Sequence, residues 1–407
     1  MTEFLDVQNG LYNAMVQGLG LSENSFQLIQ PSPPLVPDDD DALWNYFNNI
    51  PPVSLTQNYI ASGGNQFFSN YKGFNSALTS VVESRLIRDV GQEIIDEFQD
   101  YIFSRNSLPS LGQLPSLFRR WAFFRYPNVA NKGASAYAAA LLDPVASAQL
   151  AFGLYEGDPL EGIPDKKPDW DLGYQELVIQ LRSAPSRSFN FQRSTMKTDV
   201  TKTWSGGGHS GFFGLWRGSS SRSSESRKFA NSNFTLTASF GHVLRFATVP
   251  GSWYSSAATG LAYSNRNGAP WNPESPINWN NTFDPKTGNI ARLMVNLIVV
   301  DTMKLKIESF AKYEEDDQVT IRRNSGGGLW PFYSSGNSRG VSNTVDFDDE
   351  GKMTITVDSE PGVPIVIGGD VLPIHQYLGF AIEGARLFAE ALEANPEFRD
   401  RMVLPVS

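Results

Sequence analysis

Residues Ile290–Tyr313 read IARLMVNLIVVDTMKLKIESFAKY. Leu293, Val295, Leu297 and Val299 alternate with their neighbours, and Met303, Leu305 and Ile307 continue the rhythm. A period of two is the pattern of a β-strand with one face in a core. The run exceeds the usual strand length of about 5–6 residues. It therefore reads as two strands, or as one strand bent at Asp301. Shorter stretches share the period: Phe189 to Trp204, Asn233–Phe240, His242–Thr248, Val319–Arg323, Met353–Val357 and Pro364–Ile367.

Upstream of these strands the period changes to that of helices. Asp38–Asp41 precede Leu43, Trp44, Phe47 and Ile50, which recur at helical spacing. Carboxylates at a helix N-terminus are favoured by the helix dipole, so the acidic run reads as a cap rather than a metal site. Ser76–Ser104 carries Val90, Ile94, Phe98, Tyr101 and Ile102 on one stripe, and Leu114, Leu117, Phe118, Trp121 and Phe124 form another. Ala134–Leu142 is small and apolar, and Asp143-Pro144 stops it and caps the next helix. Gly157–Pro168 (GDPLEGIPDKKP) is punctuated by Gly and Pro and reads as a boundary. Ile374–Ala394 returns to helix with a broad apolar face. The expected fold is α+β. A helical domain over 1–156 and a linker over 157–169 lead to a β-sandwich-like domain over 170–372, closed by a C-terminal helix and tail over 373–407.

Within the β half one unit reads twice. Thr195-Met196-Lys197, Ser205-Gly206-Gly207-Gly208, an aromatic tip (Phe212, Phe213, Trp216) and Pro250-Gly251 occur in that order. They recur as Thr302-Met303-Lys304, Ser325-Gly326-Gly327-Gly328, a second tip (Trp330, Phe332, Tyr333) and Pro361-Gly362. The pattern suggests duplicated units over 189–251 and 296–362. Glycine frees the backbone to take positive φ, and each Phe or Trp offers about 150–250 Å² of surface. Two readings follow. The tips insert into a bilayer interface, a ligand or a neighbouring subunit, or they fold back and plug their own sheet.

Charge is unevenly spread. The net charge is −10, yet residues 1–71 hold no Lys or Arg. Residues 182–245 are the basic stretch and include Arg217, Arg222, Arg227 and Lys228, whereas residues 301–360 are acidic on balance. Overall acidity argues against a nucleic-acid binder. The basic block reads as a patch for an anionic partner, or as a counterweight to acidic surface of its own chain or of another copy.

Catalytic signatures fail on inspection. The chain has no Cys, which excludes disulfides, thiolate metal ligands and a thiol nucleophile. Three His (His209, His242, His375), far apart in sequence, argue against a poly-His metal site. Gly206-x-Gly208-x-x-Gly211 matches a dinucleotide fingerprint by letter, but no helix follows to face a pyrophosphate. Asp346, Asp348, Asp349 and Glu350 read as a hairpin turn rather than a calcium loop. No catalytic residue, metal or cofactor is expected. The N-terminus, Met1–Asp6, has no basic segment or apolar core and does not read as a secretory signal. The chain thus reads as made soluble, either cytoplasmic or released by a leaderless route.

The leading expectation is a non-enzymatic, membrane-active protein of pore-forming-toxin type that uses its glycine- and serine-rich aromatic loops. Its partners would be a membrane surface or a neighbouring subunit in a homo-oligomer. One alternative is a self-assembling protein that pairs its basic and acidic units head to tail. The other is an enzyme without a compact motif, of glycosidase or lyase class.

Overall fold

The computed structural model describes residues 3–30, 33–52, 64–105, 107–157, 165–195, 214–220, 222–333 and 340–379. Phe212, Phe213, most of the strand expected up to Trp204 and the C-terminal helix expected beyond 379 lie outside these residues. In chain order the helices begin with α1 (Glu3–Leu19), α2 (Asp40–Asn48), α3 (Phe67–Ser76), α4 (Val81–Val90) and α5 (Gln92–Phe103). They continue with α6 (Leu114–Arg125), α7 (Pro127–Ala140), α8 (Pro144–Gly153), α9 (Tyr174–Arg182) and α10 (Ser224–Asn231). The last are α11 (Ser256–Ser264), α12 (Trp279–Phe283), α13 (Glu315–Ser325) and α14 (Ile374–Tyr377). The strands are β1 (Phe26–Leu28), β2 (Arg187–Gln192), β3 (Phe234–Ala247), β4 (Arg292–Ser309), β5 (Val341–Phe347), β6 (Met353–Ser359) and β7 (Ile365–Pro373). The fold is α+β, with an antiparallel sheet.

Two compact units divide the chain, and each is discontinuous. One contains 1–64, 170–249 and 292–372; the other contains 65–169, 250–291 and 373–407. This differs from the contiguous halves suggested by the single Gly/Pro boundary at 157–169. Within 1–64 lie α1, β1 and α2, and the apolar stripe of α1 belongs to the sheet unit: Phe4, Val7, Leu11, Tyr12 and Met15 join the same core as the strands. Residues 250–291 lack alternation and supply aromatic side chains to the helical unit. Trp253, for example, sits 5.4 Å from Phe67 and 5.7 Å from Tyr71, ring to ring.

The sheet unit holds one seven-stranded sheet with the order β1-β7-β4-β3-β2, and β6 and β5 branch from β4. Among the described residues there is no second facing sheet, so the sandwich expectation gives way to a single sheet with helices. The run that decided the fold is one strand, β4, 18 residues long. β3 pairs with it from Phe234↔Ser309 to Ala247↔Asn296. On its other side β4 changes partner. Lys304–Ser309 pair with β6, while β7 lies beside the first half, where the Asp370 N–H donates to Asn296 Oδ1 at 3.2 Å.

The change of partner coincides with a change of face. Ile298 and Val300 share a core cluster with Met303, Leu305 and Ile307, so the inward parity flips across Asp301–Thr302. β3 flips in step: Phe234, Leu236, Ala238 and Phe240 face this cluster, and then Val243 does. Phe246, of opposite parity to Val243, meets Phe47 of α2 at 6.5 Å. Thr302 has φ 49°, a left-handed conformation costly for a β-branched residue. The residue facing it is Gly241, where an added Cβ would come within 2.7 Å of Thr302 Cβ.

Local rules account for several boundaries. Asp39 caps α2, accepting the Ala42 N–H at 2.9 Å, and Asp143 caps α8, accepting the Ala146 N–H at 2.8 Å. The helix read across Ser76–Ser104 is split by Gly91, whose φ is 95°. Val319–Arg323 is not a strand but part of α13. Glu315, Asp316 and Asp317 fill its first turn and Arg322 and Arg323 its last, matching the helix dipole at both ends. Only Ile321 of that helix is buried. The two stretches read as copies do not line up in the described residues. α10 follows the first Ser-Gly-Gly-Gly segment, whereas α13 ends where the second begins.

Two outcomes are expected. Gly241→Ala should lower stability in urea unfolding by about 1–3 kcal/mol, because the added methyl has no room against Thr302. An unchanged midpoint would count against the crossing described here. In alkali, burial holds the phenols of Tyr46 and Tyr71 up to about 12, against 10.0 for a free phenol. A raised folded pKa means that this stabilisation is complete below pH 10 and is lost as pH rises towards 12. Phenolate absorbance and loss of helical circular dichroism should therefore rise together over that window. Ionisation of Tyr46 or Tyr71 near pH 10 in folded protein would contradict this.

Candidate functional site

Three of the six aromatic residues singled out from the sequence are interior. Trp330, Phe332 and Tyr333 are 0%, 1% and 3% exposed. Trp330 stands edge-on to Phe4 at 6.3 Å and to Phe234 at 5.7 Å, and its indole N–H donates to Gln8 Oε1 at 2.8 Å. The Tyr333 hydroxyl donates to the Gly214 carbonyl. Trp216 is half-buried and packs against the same core. The two glycine-rich segments also meet. Trp216 and Leu329 form an antiparallel bridge. Beside it the Arg217 N–H donates to the Gly328 carbonyl and the Trp330 N–H to the Leu215 carbonyl, both at 2.9 Å. The second tip is thus a plug on its own sheet and not a projecting element. Phe212 and Phe213 lie outside the described residues.

The basic patch is partly answered within the chain. Lys228 pairs with Asp317 at the start of α13 and stands 5.7 Å over the Tyr313 ring. Arg217, Arg222 and Arg227 are exposed. The basic and acidic stretches therefore meet in one molecule at Lys228, which is the counterweight reading of the charge pattern.

Sequence reasoning passed over one charged constellation. His242 Nδ1 lies 2.7 Å from Asp301 Oδ1, and Asp301, 3% exposed, accepts the Gly362 N–H on its other oxygen at 3.1 Å. A hydrolytic dyad needs a nucleophile at the far imidazole nitrogen. Among the described residues none hydrogen-bonds there. The pair instead holds β3, β4 and the β6–β7 turn together where β4 changes partner. Burial lowers the pKa of His375, and its Nε2 has no partner in the described structure. Among the described residues no cluster of three or more His, Asp or Glu is placed to hold a metal ion. No helix there is long and apolar enough to cross a membrane.

Two adjacent exposed aromatic residues lie at the end of α6. Phe124 follows the spacing of Leu114, Leu117, Phe118 and Trp121, but it falls in the last turn and clears the neighbouring helices. It is 88% exposed and Phe123 61%, with their rings edge to face at 5.3 Å. Large apolar side chains this exposed and adjacent mark a contact surface more often than isolated ones do. Arg119 and Phe123, and Arg120 and Phe124, are four residues apart and so share a helix face. Arg119, Arg120 and Arg125 are exposed, and among the described residues no carboxylate pairs with them. Arg125 lies 5.5 Å over the Trp121 ring. No Asp or Glu occurs anywhere from 101 to 142, a stretch that also contains Arg105 and Lys132. That acid-free interval in an acidic chain is the sequence signal that went unread. The chain has no match among protein-family models, curated proteins or solved structures.

The plug has a direct thermodynamic test. Trp330→Ala should destabilise the protein by about 3–5 kcal/mol, the usual cost of truncating a buried aromatic. A thermal melt shifted only slightly would restore Trp330 as a surface residue.

Proposed function

We propose that the protein is a non-enzymatic binding protein that associates with anionic membrane surfaces through the end of α6. The observation that carries this reading is the exposed Phe123–Phe124 pair on the same helix faces as two unpaired arginines. Aromatic rings partition to the boundary between lipid headgroups and acyl chains. Each basic residue near an anionic leaflet contributes about 1 kcal/mol. A pair of rings with three guanidinium groups gives reversible attachment rather than insertion across the bilayer. This differs from the pore-forming version of the reading, which needed projecting glycine-loop tips. Trp330, Phe332 and Tyr333 are committed to the core.

Co-sedimentation with vesicles tests the proposal. The protein should bind phosphatidylcholine vesicles containing phosphatidylserine, bind pure phosphatidylcholine poorly, and detach as salt screens the charges. Replacing Phe123 and Phe124 together by Ser should reduce binding by about tenfold or more, since aromatic anchors dominate such contacts. Stability should stay within about ±0.5 kcal/mol, as for other exposed substitutions. Equal binding by the double variant would remove this surface as the contact, and absence of binding by the parent protein would remove the reading.

A further inference from the structure

Within the helical unit, α3 to α8 line an open-sided cavity of about 450 Å³. That volume lies within the range of about 300–1,000 Å³ typical of small-molecule sites. Phe98, Ile102, Leu114 and Phe152 give it apolar walls and are all buried. The space persists because Ala140, Ala146 and Gly153 stand where larger side chains would fill it.

Three polar groups that line the cavity are incompletely satisfied: a phenol hydroxyl, which can donate or accept, and two amide oxygens, which accept. Tyr137 lines it and is 3% exposed, and its hydroxyl has no hydrogen-bond partner among the described residues. Burial raises the pKa of this phenol, with the charge of Asp96 adding to the effect, so it is neutral at ordinary pH. Asn75 and Gln149 line the same space. Their amino groups are committed: Asn75 Nδ2 donates to the Ala148 carbonyl at 3.4 Å, and Gln149 Nε2 donates to the Leu78 carbonyl at 3.0 Å. Backbone carbonyls only accept, which fixes both amides. Asn75 Oδ1 and Gln149 Oε1 are left without partners. A buried polar atom without a partner is a recurrent penalty that folding alone does not explain. At the exposed end Lys72 and Glu156 pair at 3.1 Å, so the rim presents both charges together rather than one sign.

We propose that this cavity binds a neutral, mainly apolar small molecule that carries an N–H or O–H donor. The apolar walls take its body. The Tyr137 hydroxyl, which lines the same space, takes its donor. A charged ligand would meet no fixed counter-charge inside, because Lys72 and Glu156 already neutralise each other. The inference is independent of membrane attachment, since none of its residues belongs to the exposed end of α6.

The probe that tests it is N-phenyl-1-naphthylamine, a neutral aromatic amine with one N–H. Its fluorescence should rise on mixing with the folded protein and saturate at one equivalent. Gly153→Leu should abolish this by filling the cavity; a Cβ there meets nothing closer than Gln99 Nε2 at 3.6 Å. Leu150→Trp, which fills the space from another position on α8, should do the same, so one misfolded variant does not decide the result. Tyr137→Phe should weaken binding about three- to tenfold, the worth of one hydrogen bond. The N-methylated probe, which has no N–H, should not distinguish Tyr137→Phe from the parent. Absence of saturable binding, or undiminished binding by both filled variants with native melting curves, overturns the site. An N–H probe indifferent to Tyr137→Phe overturns the assigned donor contact.

Discussion

Two adjacent residues, Asp301 and Thr302, set the organisation of the sheet unit. The inward parity of β4 flips across them, and β3 flips with it at Gly241 and His242. A left-handed Thr in mid-strand is tolerated only where its surroundings over-determine it. They do so here. Asp301 takes His242 on one oxygen and the Gly362 N–H on the other, and the Met303 N–H donates to Ser359 Oγ at 2.7 Å. Three segments are thereby tied at one point. From that point β4 serves β7 with its first half and β6 with its second, so a single strand supports both branches of the sheet.

The flip also explains why the sequence was readable there only in part. Residues 293–300 are apolar on both parities except at Asn296, as expected where both faces of a strand are covered. Odd-numbered residues therefore stay apolar from Leu293 to Ile307 except at Asp301, and the exchange of faces leaves no other mark in the pattern. What remained visible was the excess length and the polar Asp301, and the bend expected there is where the parity changes. Helix caps were legible for the opposite reason. Asp39 and Asp143 act within three residues of their own positions, so local chemistry decides them. The strand expected at Val319–Arg323 failed because five residues carry too little period to outweigh acids and arginines placed for a helix.

The glycine-rich segments show a related limit. Composition showed that their aromatic residues needed an apolar environment but not where it lay. Trp330 finds it in its own core, with Gln8 to accept its N–H, and the partner of the segment is the other glycine-rich segment. Similarity between the two stretches was read as duplication. In the described residues Leu215–Arg217 pairs with Gly328–Trp330, so the two stretches are joined to each other.

Consistency between local rule and global fold is the ordinary condition of a stable chain, and departures from it tend to mark use. In the sheet unit three oddities resolve into packing: the strained Thr302 faces Gly241, the buried Asp301 has two partners, and Trp330 is satisfied. Three departures in the helical unit do not resolve that way. Phe124 follows a core stripe and ends in solvent. Arg119 and Arg120 have no described carboxylate to answer them. Tyr137, a buried residue, carries a hydroxyl with no described partner, on a space that alanine and glycine leave open. Filling that space with larger side chains and exchanging the two Phe for polar residues are simple routes to a better-satisfied helical bundle. That the chain has neither is the physical argument for seeking its function in the helical unit, although the glycine-rich loops of the sheet unit carry the more conspicuous sequence.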